Sequence, residues 1–141
     1  MKRFIKIICM VLVFSMCLAV PVGAAEIAPY ASNYFMSYRT YLSGETSTSF
    51  QVCFTVTAVR EMDKLGVDYI DIERSSDGVN WTTVKTYDSS DYSDLMAEDT
   101  FFHAGQVTYS NKQSGYQYRA YIEFYAKEGN GSASHGDYAY F

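Results

Sequence analysis

The sequence has few residues that could cross-link its backbone or stiffen it. Of three cysteines, Cys9 and Cys17 lie in the first 20 residues, so the rest of the chain keeps only Cys53 and cannot form an internal disulfide bond. Both prolines, Pro21 and Pro29, precede the body of the chain, and no repeat, linker or low-complexity tract follows them. The fold must therefore depend on core packing. Cys53 is predicted to be a small buried filler, with an exposed thiol as the alternative.

The first 25 residues have the features of a secretory signal peptide. Their only charges are basic, at Lys2, Arg3 and Lys6. The apolar run 7–20 is shorter than the about 20 residues that a helix needs to cross a bilayer. It ends in proline and small residues, which predicts cleavage after Ala24 or Ala25 rather than an uncleaved anchor. We therefore expect a secreted, extracellular domain of residues 26–141, with no membrane insertion after the signal is removed.

Positive charge is scarce in this expected mature domain. Residues 1–25 carry three basic side chains and no acidic one, so residues 26–141 have eight basic and sixteen acidic residues, a formal net charge of −8. Such a surface repels phosphate backbones and anionic lipids. Nucleic acids and membrane surfaces are therefore poor partners, and an extracellular protein or glycan is the expected one. The oligomeric state does not follow from the composition.

Apolar and polar residues alternate in two long segments. The apolar positions in 49–59 are Phe50, Val52, Phe54, Val56 and Ala58, and those in 114–126 are Tyr116, Tyr118, Ala120, Ile122, Phe124 and Ala126. A period of two with β-branched and aromatic residues is typical of half-buried strands. We expect the two sets to face the core.

Shorter patterns complete an all-β prediction. Further strands are expected at 34–42, 67–74, 81–87 and 102–109, and a last one after the turn at 129–132. Asp77-Gly78 supplies a tight reversal between two of them. Only 89–97 breaks the pattern, where Ser90 or Asp91 could cap one helical turn carrying Leu95 and Met96. The sequence thus predicts a single antiparallel β-sandwich of about seven strands.

Two segments add a resemblance to this pattern. RSSDGVNWTTV (74–84) resembles the strand-turn-strand of fibronectin type III domains from bacterial secreted proteins, and SGYQYRAYIEFYA (114–126) resembles their penultimate strand. Residues 30–141 also resemble an uncharacterised family of small secreted proteins from Gram-positive bacteria. The resemblance implies an immunoglobulin-like fold in which Tyr116 is a corner tyrosine, its hydroxyl bonded to backbone just upstream. It implies no activity.

No catalytic or cofactor motif stands out. The two histidines, His103 and His135, lie in loop-like contexts without a nucleophile elbow, and sixteen carboxylates alone do not indicate a glycosidase. Five acids crowd one segment, 88–99: Asp88, Asp91, Asp94, Glu98 and Asp99. Oxygen ligands could hold calcium, but their spacing is not that of an EF-hand loop. We therefore expect no enzyme, cofactor or metal, and leave calcium at this segment open.

Tyrosine is the one unusual resource of the chain, with fourteen copies. Tyr69, Tyr121 and Tyr125 alternate onto outward positions, where they could form a binding patch because tyrosine combines an apolar ring with a polar tip. The alternative is that tyrosine merely tiles exposed strands because of its high strand propensity. We expect a non-catalytic module that binds protein or glycan surfaces. The alternatives are a carbohydrate-binding accessory module and a small secreted hydrolase.

Overall fold

The computed structural model describes residues 33–141 and is all-β over that range, as the sequence predicts. Its strands are β1 (Phe35–Ser43), β2 (Phe50–Ser75), β3 (Thr82–Asp88), β4 (Met96–Tyr109), β5 (Gln117–Glu128) and β6 (Gly131–Tyr140). Within residues 33–141 there is no helix of the length and hydrophobicity needed to cross a lipid bilayer. The expected signal peptide, residues 1–25, and its cleavage site lie outside the described residues.

All six strands form one antiparallel sheet organised around β2, which is 26 residues long. Residues 51–58 of β2 pair with β1 along one edge, and residues 50–57 pair with β4 along the other. The remainder of β2 pairs with β5 along one edge, and with the start of β4 and then β3 along the other. β6 pairs with β5. The long strand therefore belongs to both halves of the sheet and joins them.

The sheet curls until its first and last strands meet. The hydroxyl of Tyr38 on β1 lies 2.7 Å from Nε2 of His135 on β6, and Thr40 Oγ1 donates a hydrogen bond to Asp137 Oδ2 over 3.0 Å. Inside the curl, the ring of Phe54 packs edge-on against that of Phe124 from β5, with 6.4 Å between centroids. The inward faces of the two halves thus form one core.

The apolar residues of the two alternating segments face this core as expected, except Tyr116, which is exposed. The five apolar residues from Phe50 to Ala58 are all buried, and so are Ile70, Ile72 and the alternate residues from Tyr118 to Ala126. Strand pleating places every second side chain on the same face, so the apolar set shares one side of the sheet. Cys53 points to the opposite side but is also buried, which confirms the prediction of a filler.

The strand count differs from the prediction, because the described residues contain six strands rather than about seven. The segments 49–59 and 67–74, which the alternation separates, are the two ends of β2. The charged residues between them stay at the surface while Met62 and Leu65 turn inward. A bulge between Thr57 and Met62 absorbs the change of register against β4. The chain therefore bends without leaving the sheet.

The hydrogen bond to upstream backbone that the resemblance implies for Tyr116 is made by Tyr118 instead. Tyr116 lies before β5 and is exposed, whereas Tyr118 is buried. The hydroxyl of Tyr118 accepts a hydrogen bond from the backbone N–H of Gln113, five residues upstream, over 2.9 Å. The turn at Gly115 delays the start of the strand, which removes Tyr116 from the alternating set.

The predicted helical turn is also different in detail. It is a 3-10 turn at Ser93–Leu95 that has no side-chain cap; Leu95 is buried, and Met96 already belongs to β4. Ser90 and Asp91 do not cap it. Instead Asp88 accepts a hydrogen bond from the Ser90 N–H over 2.8 Å and so begins a separate reversal.

Candidate binding surface

A row of tyrosine rings lies on the outward face of the half-sheet formed by β2, β5 and β6. In the register of the sheet, Asp71 lies opposite Tyr121, which lies opposite Tyr138. The ring centroid of Tyr121 is 5.9 Å from that of Tyr69 and 5.0 Å from that of Tyr138. Tyr138 lies in turn 5.9 Å from Tyr140. Rings at these separations form favourable aromatic pairs.

The structure brings together two of the three tyrosines in the predicted patch. Tyr69 and Tyr121 are half-buried neighbours on β2 and β5. Tyr125 is on the same side of β5 but further along, in register with Gly66 and Ser134, and residues 33–141 give it no aromatic ring contact. The patch therefore extends toward β6 rather than along β5.

An ion pair occupies the centre of this surface. Arg119 Nε donates a hydrogen bond to Glu73 Oε2 over 2.5 Å, and both side chains are largely covered. The guanidinium carbon of Arg119 lies 4.3 Å from the ring centroid of Trp81 and 4.5 Å from that of Tyr138. Burial alone would lower the pKa of Arg119, but its hydrogen bond and charge interaction with Glu73 outweigh burial and raise it. Arg119 therefore remains a cation held between two rings.

We refer to Tyr69, Trp81, Tyr121, Tyr138 and Tyr140, with Arg119 between them, as the aromatic face. Tyr138 and Tyr140 are its most open members, with exposed fractions of 39% and 58%. An exposed aromatic cluster of this kind is typical of contact surfaces, since a ring contributes much area and loses little conformational freedom. The cluster includes no free positive charge, because Arg119 is paired with Glu73.

Gly136 has no side chain and so leaves room for the ring of Tyr121. The position that a Cβ would occupy at Gly136 overlaps the Tyr121 hydroxyl and lies 2.6 Å from the ring carbon Cζ. The hydroxyl of Tyr121 donates a hydrogen bond to Glu123 Oε2 over 2.5 Å. This hydrogen bond, together with burial, raises the pKa of Tyr121 well above its ordinary value. The phenol is therefore neutral at physiological pH and its ring is fixed against the sheet.

Trp81 reaches the aromatic face from a turn that Asp77 organises. Asp77 Oδ1 accepts hydrogen bonds from the backbone N–H groups of Val79 and Asn80 over 2.9 and 2.8 Å, and Oδ2 accepts one from Asn80 Nδ2 over 2.7 Å. The Ser75 hydroxyl adds a fourth. These bonds favour the carboxylate, led by the one from the Asn80 backbone, and lower the pKa of Asp77 well below its ordinary value. The turn is thus ordered directly before Trp81.

Sequence reasoning missed four members of this surface: Trp81, Arg119, Tyr138 and Tyr140. The spacing of Tyr138 and Tyr140 by two residues was an available signal, because both fall on one face of the predicted last strand. Their proximity to Tyr121 was not available, since it depends on the pairing of β5 with β6.

The acidic segment and the histidines do not converge on a reactive centre. Within residues 33–141 no three side chains of His, Cys, Asp or Glu lie together as metal ligands would. His103 Nε2 lies 2.9 Å from the carbonyl oxygen of Asp94, while His135 contacts Tyr38 on the other side of the core. The hydrogen bonds from Ser90 lower the pKa of Asp88 and give it a structural role in the turn.

No family model, curated protein or solved structure matches the chain. The chain's own residues are therefore the guide to its function, and the aromatic face is the feature of residues 33–141 that points to one.

Proposed function

We propose that the protein is a secreted, non-catalytic binding module that contacts an extracellular protein or glycan through the aromatic face. The observation that carries this proposal is the exposure of Tyr138 and Tyr140. These two rings lie beside Arg119, whose charge is already paired with Glu73. Aromatic anchors tend to dominate the energetics of interfaces, and charges that are already paired need not be neutralised by the partner.

The surface is also ordered before any partner arrives. Gly136 leaves room for the ring of Tyr121, and Asp77 orders the turn before Trp81. Arg119 lies between the rings of Trp81 and Tyr138. Groups that are already in place lose less conformational entropy on binding, which leaves more of the contact energy as affinity. Tyrosines that were present only because of their high strand propensity would not need such ordered neighbours.

The proposal includes a fibronectin type III-like or immunoglobulin-like sandwich and export by the signal peptide. The contact between the Tyr118 hydroxyl and the Gln113 backbone supports the fold type, since it has the form of a tyrosine corner at the start of the penultimate strand. The basic and apolar start of the sequence supports export. Membership in a family of small secreted Gram-positive proteins belongs to the same proposal.

We expect the double variant Tyr138→Ser/Tyr140→Ser to lose binding without losing the fold. Binding of purified protein to the producing cells, or to their surface extract, should weaken at least about tenfold because the anchors are gone. The free energy of unfolding should fall by no more than about 2 kcal/mol, because Tyr140 is mostly exposed and Tyr138 loses only its contacts with Tyr121 and Arg119. A pull-down beside a denaturation curve measures both quantities.

Tyr41→Ser is the matched control for this experiment. Tyr41 has a similar exposed fraction, 43%, but lies on β1 in the other half of the sheet. It should bind as the original protein does. Equal binding by the double variant and the original protein would refute the proposal, and a loss caused by Tyr41→Ser would move the contact surface to the opposite half of the sheet.

A further inference from the structure

A groove opens at the end of the sheet where the aromatic face stops. It has a volume of about 320 Å³, at the lower end of the range for ligand sites, about 300 to 1,000 Å³. Its walls are largely aromatic: Trp81, Tyr116, Tyr118, Tyr140 and Phe141. Trp81 and Tyr140 also belong to the aromatic face, so the groove continues that surface into a concave site.

Each ring in the groove is held by a neighbour and still reaches solvent or the groove floor. Tyr118 forms the floor, because it is buried and its ring packs 5.5 Å from that of Phe50. The guanidinium of Arg74 lies 4.7 Å from the ring centroid of Tyr116, which remains exposed. Phe141 packs edge-on against Phe50 at 5.0 Å and is also exposed. The groove therefore presents supported rings that a ligand could cover.

The polar part of the groove is electrically balanced. Lys112 Nζ forms an ion pair with Glu45, and it also lies 3.4 Å from the carbonyl oxygen of Thr46. The amide of Gln117 lies against Gly78, with Oε1 3.1 Å from the position that a Cβ would take there. An amide both donates and accepts hydrogen bonds. The two charged side chains that line the groove, Lys112 and Glu45, are therefore paired with each other, while Arg74 lies against Tyr116 and bonds to the Gln113 amide.

The combination of aromatic rings with an uncharged amide favours some classes of ligand over others. A pyranose sugar has an apolar C–H face that can lie on an aromatic ring and hydroxyl groups that both donate and accept, which suits rings beside an amide. A strongly charged ligand would meet only paired charges among the side chains that line the groove, and an anionic one would also meet an acidic domain. The geometry favours a neutral sugar.

A larger cleft between β3 and β4, of about 540 Å³, offers a ligand fewer exposed rings. Its rings Tyr87 and Tyr92 pack on each other at 5.0 Å, and the Lys85 ammonium lies 5.2 Å from the ring of Tyr87. The Tyr87 hydroxyl is also engaged, because it donates to the Thr108 carbonyl over 2.8 Å. Of the three tyrosines in this cleft, Tyr87 and Tyr109 are buried, so only Tyr92 presents an exposed ring to a ligand.

We infer that the groove lined by Trp81, Tyr116 and Gln117 binds a short segment of a neutral oligosaccharide. This inference rests on the proposed function and specifies its ligand. Stacking on Trp81 and Tyr116 supplies the contact area, and the Gln117 amide bonds to hydroxyls at the edge of the sugar ring.

Trp81 makes the test direct, because it is the only tryptophan of the chain. Its emission is followed while the purified protein is titrated separately with hexasaccharides of β-1,4-linked glucose, N-acetylglucosamine and mannose, and with an acidic oligogalacturonate. We expect a saturable change with at least one neutral sugar and none with the acidic one. Tyr116→Ala and Gln117→Ala should each raise the apparent Kd for that sugar at least about fivefold, while Tyr41→Ala should leave the Kd unchanged.

Three results would overturn the inference: no response to any of the neutral sugars, saturation by the acidic sugar alone, or a neutral response that both groove variants retain. Gln117 is exposed, so Gln117→Ala remains informative if Tyr116→Ala proves poorly folded. Failure here is separable from failure of the proposed function. If cell-surface binding still depends on Tyr138 and Tyr140 while no neutral sugar binds, the aromatic face remains the contact surface and only the ligand class is wrong.

Discussion

Phe54→Ala is expected to lower the free energy of unfolding by about 3 to 5 kcal/mol. Phe54 is 1% exposed, and its ring lies between His103 on β4 and Phe124 on β5. Truncation leaves a cavity where the two halves of the curled sheet meet, and the surrounding backbone pairs prevent its collapse. For a domain of ordinary stability this is a large part of the total. Chemical denaturation followed by circular dichroism measures the change.

Phe101→Ala provides the comparison for this variant. Phe101 lies on β4 and is 60% exposed, so its removal should change the unfolding free energy by no more than about 0.5 kcal/mol. Equal effects of the two substitutions would mean that Phe54 does not face the core, and the register of β2 described above would be wrong.

Gly105→Ala should cost about 1 to 3 kcal/mol, because it overpacks the same region. Gly105 is the β4 partner of Phe54, and a Cβ there would lie 2.7 Å from Cζ and 2.9 Å from Cε1 of the Phe54 ring. A buried ring has little room to move. The nearest backbone atom, the carbonyl oxygen of Asp94, is more distant at 3.1 Å. The denaturation assay used for Phe54→Ala applies here as well.

The cost of Gly105→Ala should depend on Phe54. In the Phe54→Ala background the obstructing ring is absent, so adding the alanine should cost at least about 1 kcal/mol less than in the original protein. Strict additivity of the two substitutions would contradict the packing of this pair.

The sequence was informative about the core because burial on one face leaves a period of two. Phe50 to Ala58 and Tyr118 to Ala126 show that period over many residues, and all of them are buried. The bend of β2 was harder to predict from the sequence. The charged residues after Ala58 break the alternation, and only pairing with β4 across a bulge keeps them in the sheet. Tyr116 was misplaced for a similar reason, since the alternation does not reveal where the turn ends.

The binding surface was predictable only in part. Tyr69 and Tyr121 follow from alternation within their own strands. Trp81 and Tyr138 contact Arg119 through the placement of a turn and the pairing of β5 with β6, neither of which alternation specifies. Gly136 illustrates the point, because in the sequence it indicates a weak strand, whereas in the sheet it makes room for the ring of Tyr121.

Protection of tyrosines from chemical nitration, read by mass spectrometry, tests most directly whether the aromatic face is the contact surface. The protein is nitrated free and while bound to the producing cells or their surface extract. Tyr138 and Tyr140 should become protected on binding, whereas Tyr41 and Tyr92, which are exposed on other strands and loops, should react equally in both states. Protection of Tyr41 or Tyr92 with continued reaction at Tyr138 and Tyr140 would contradict the account.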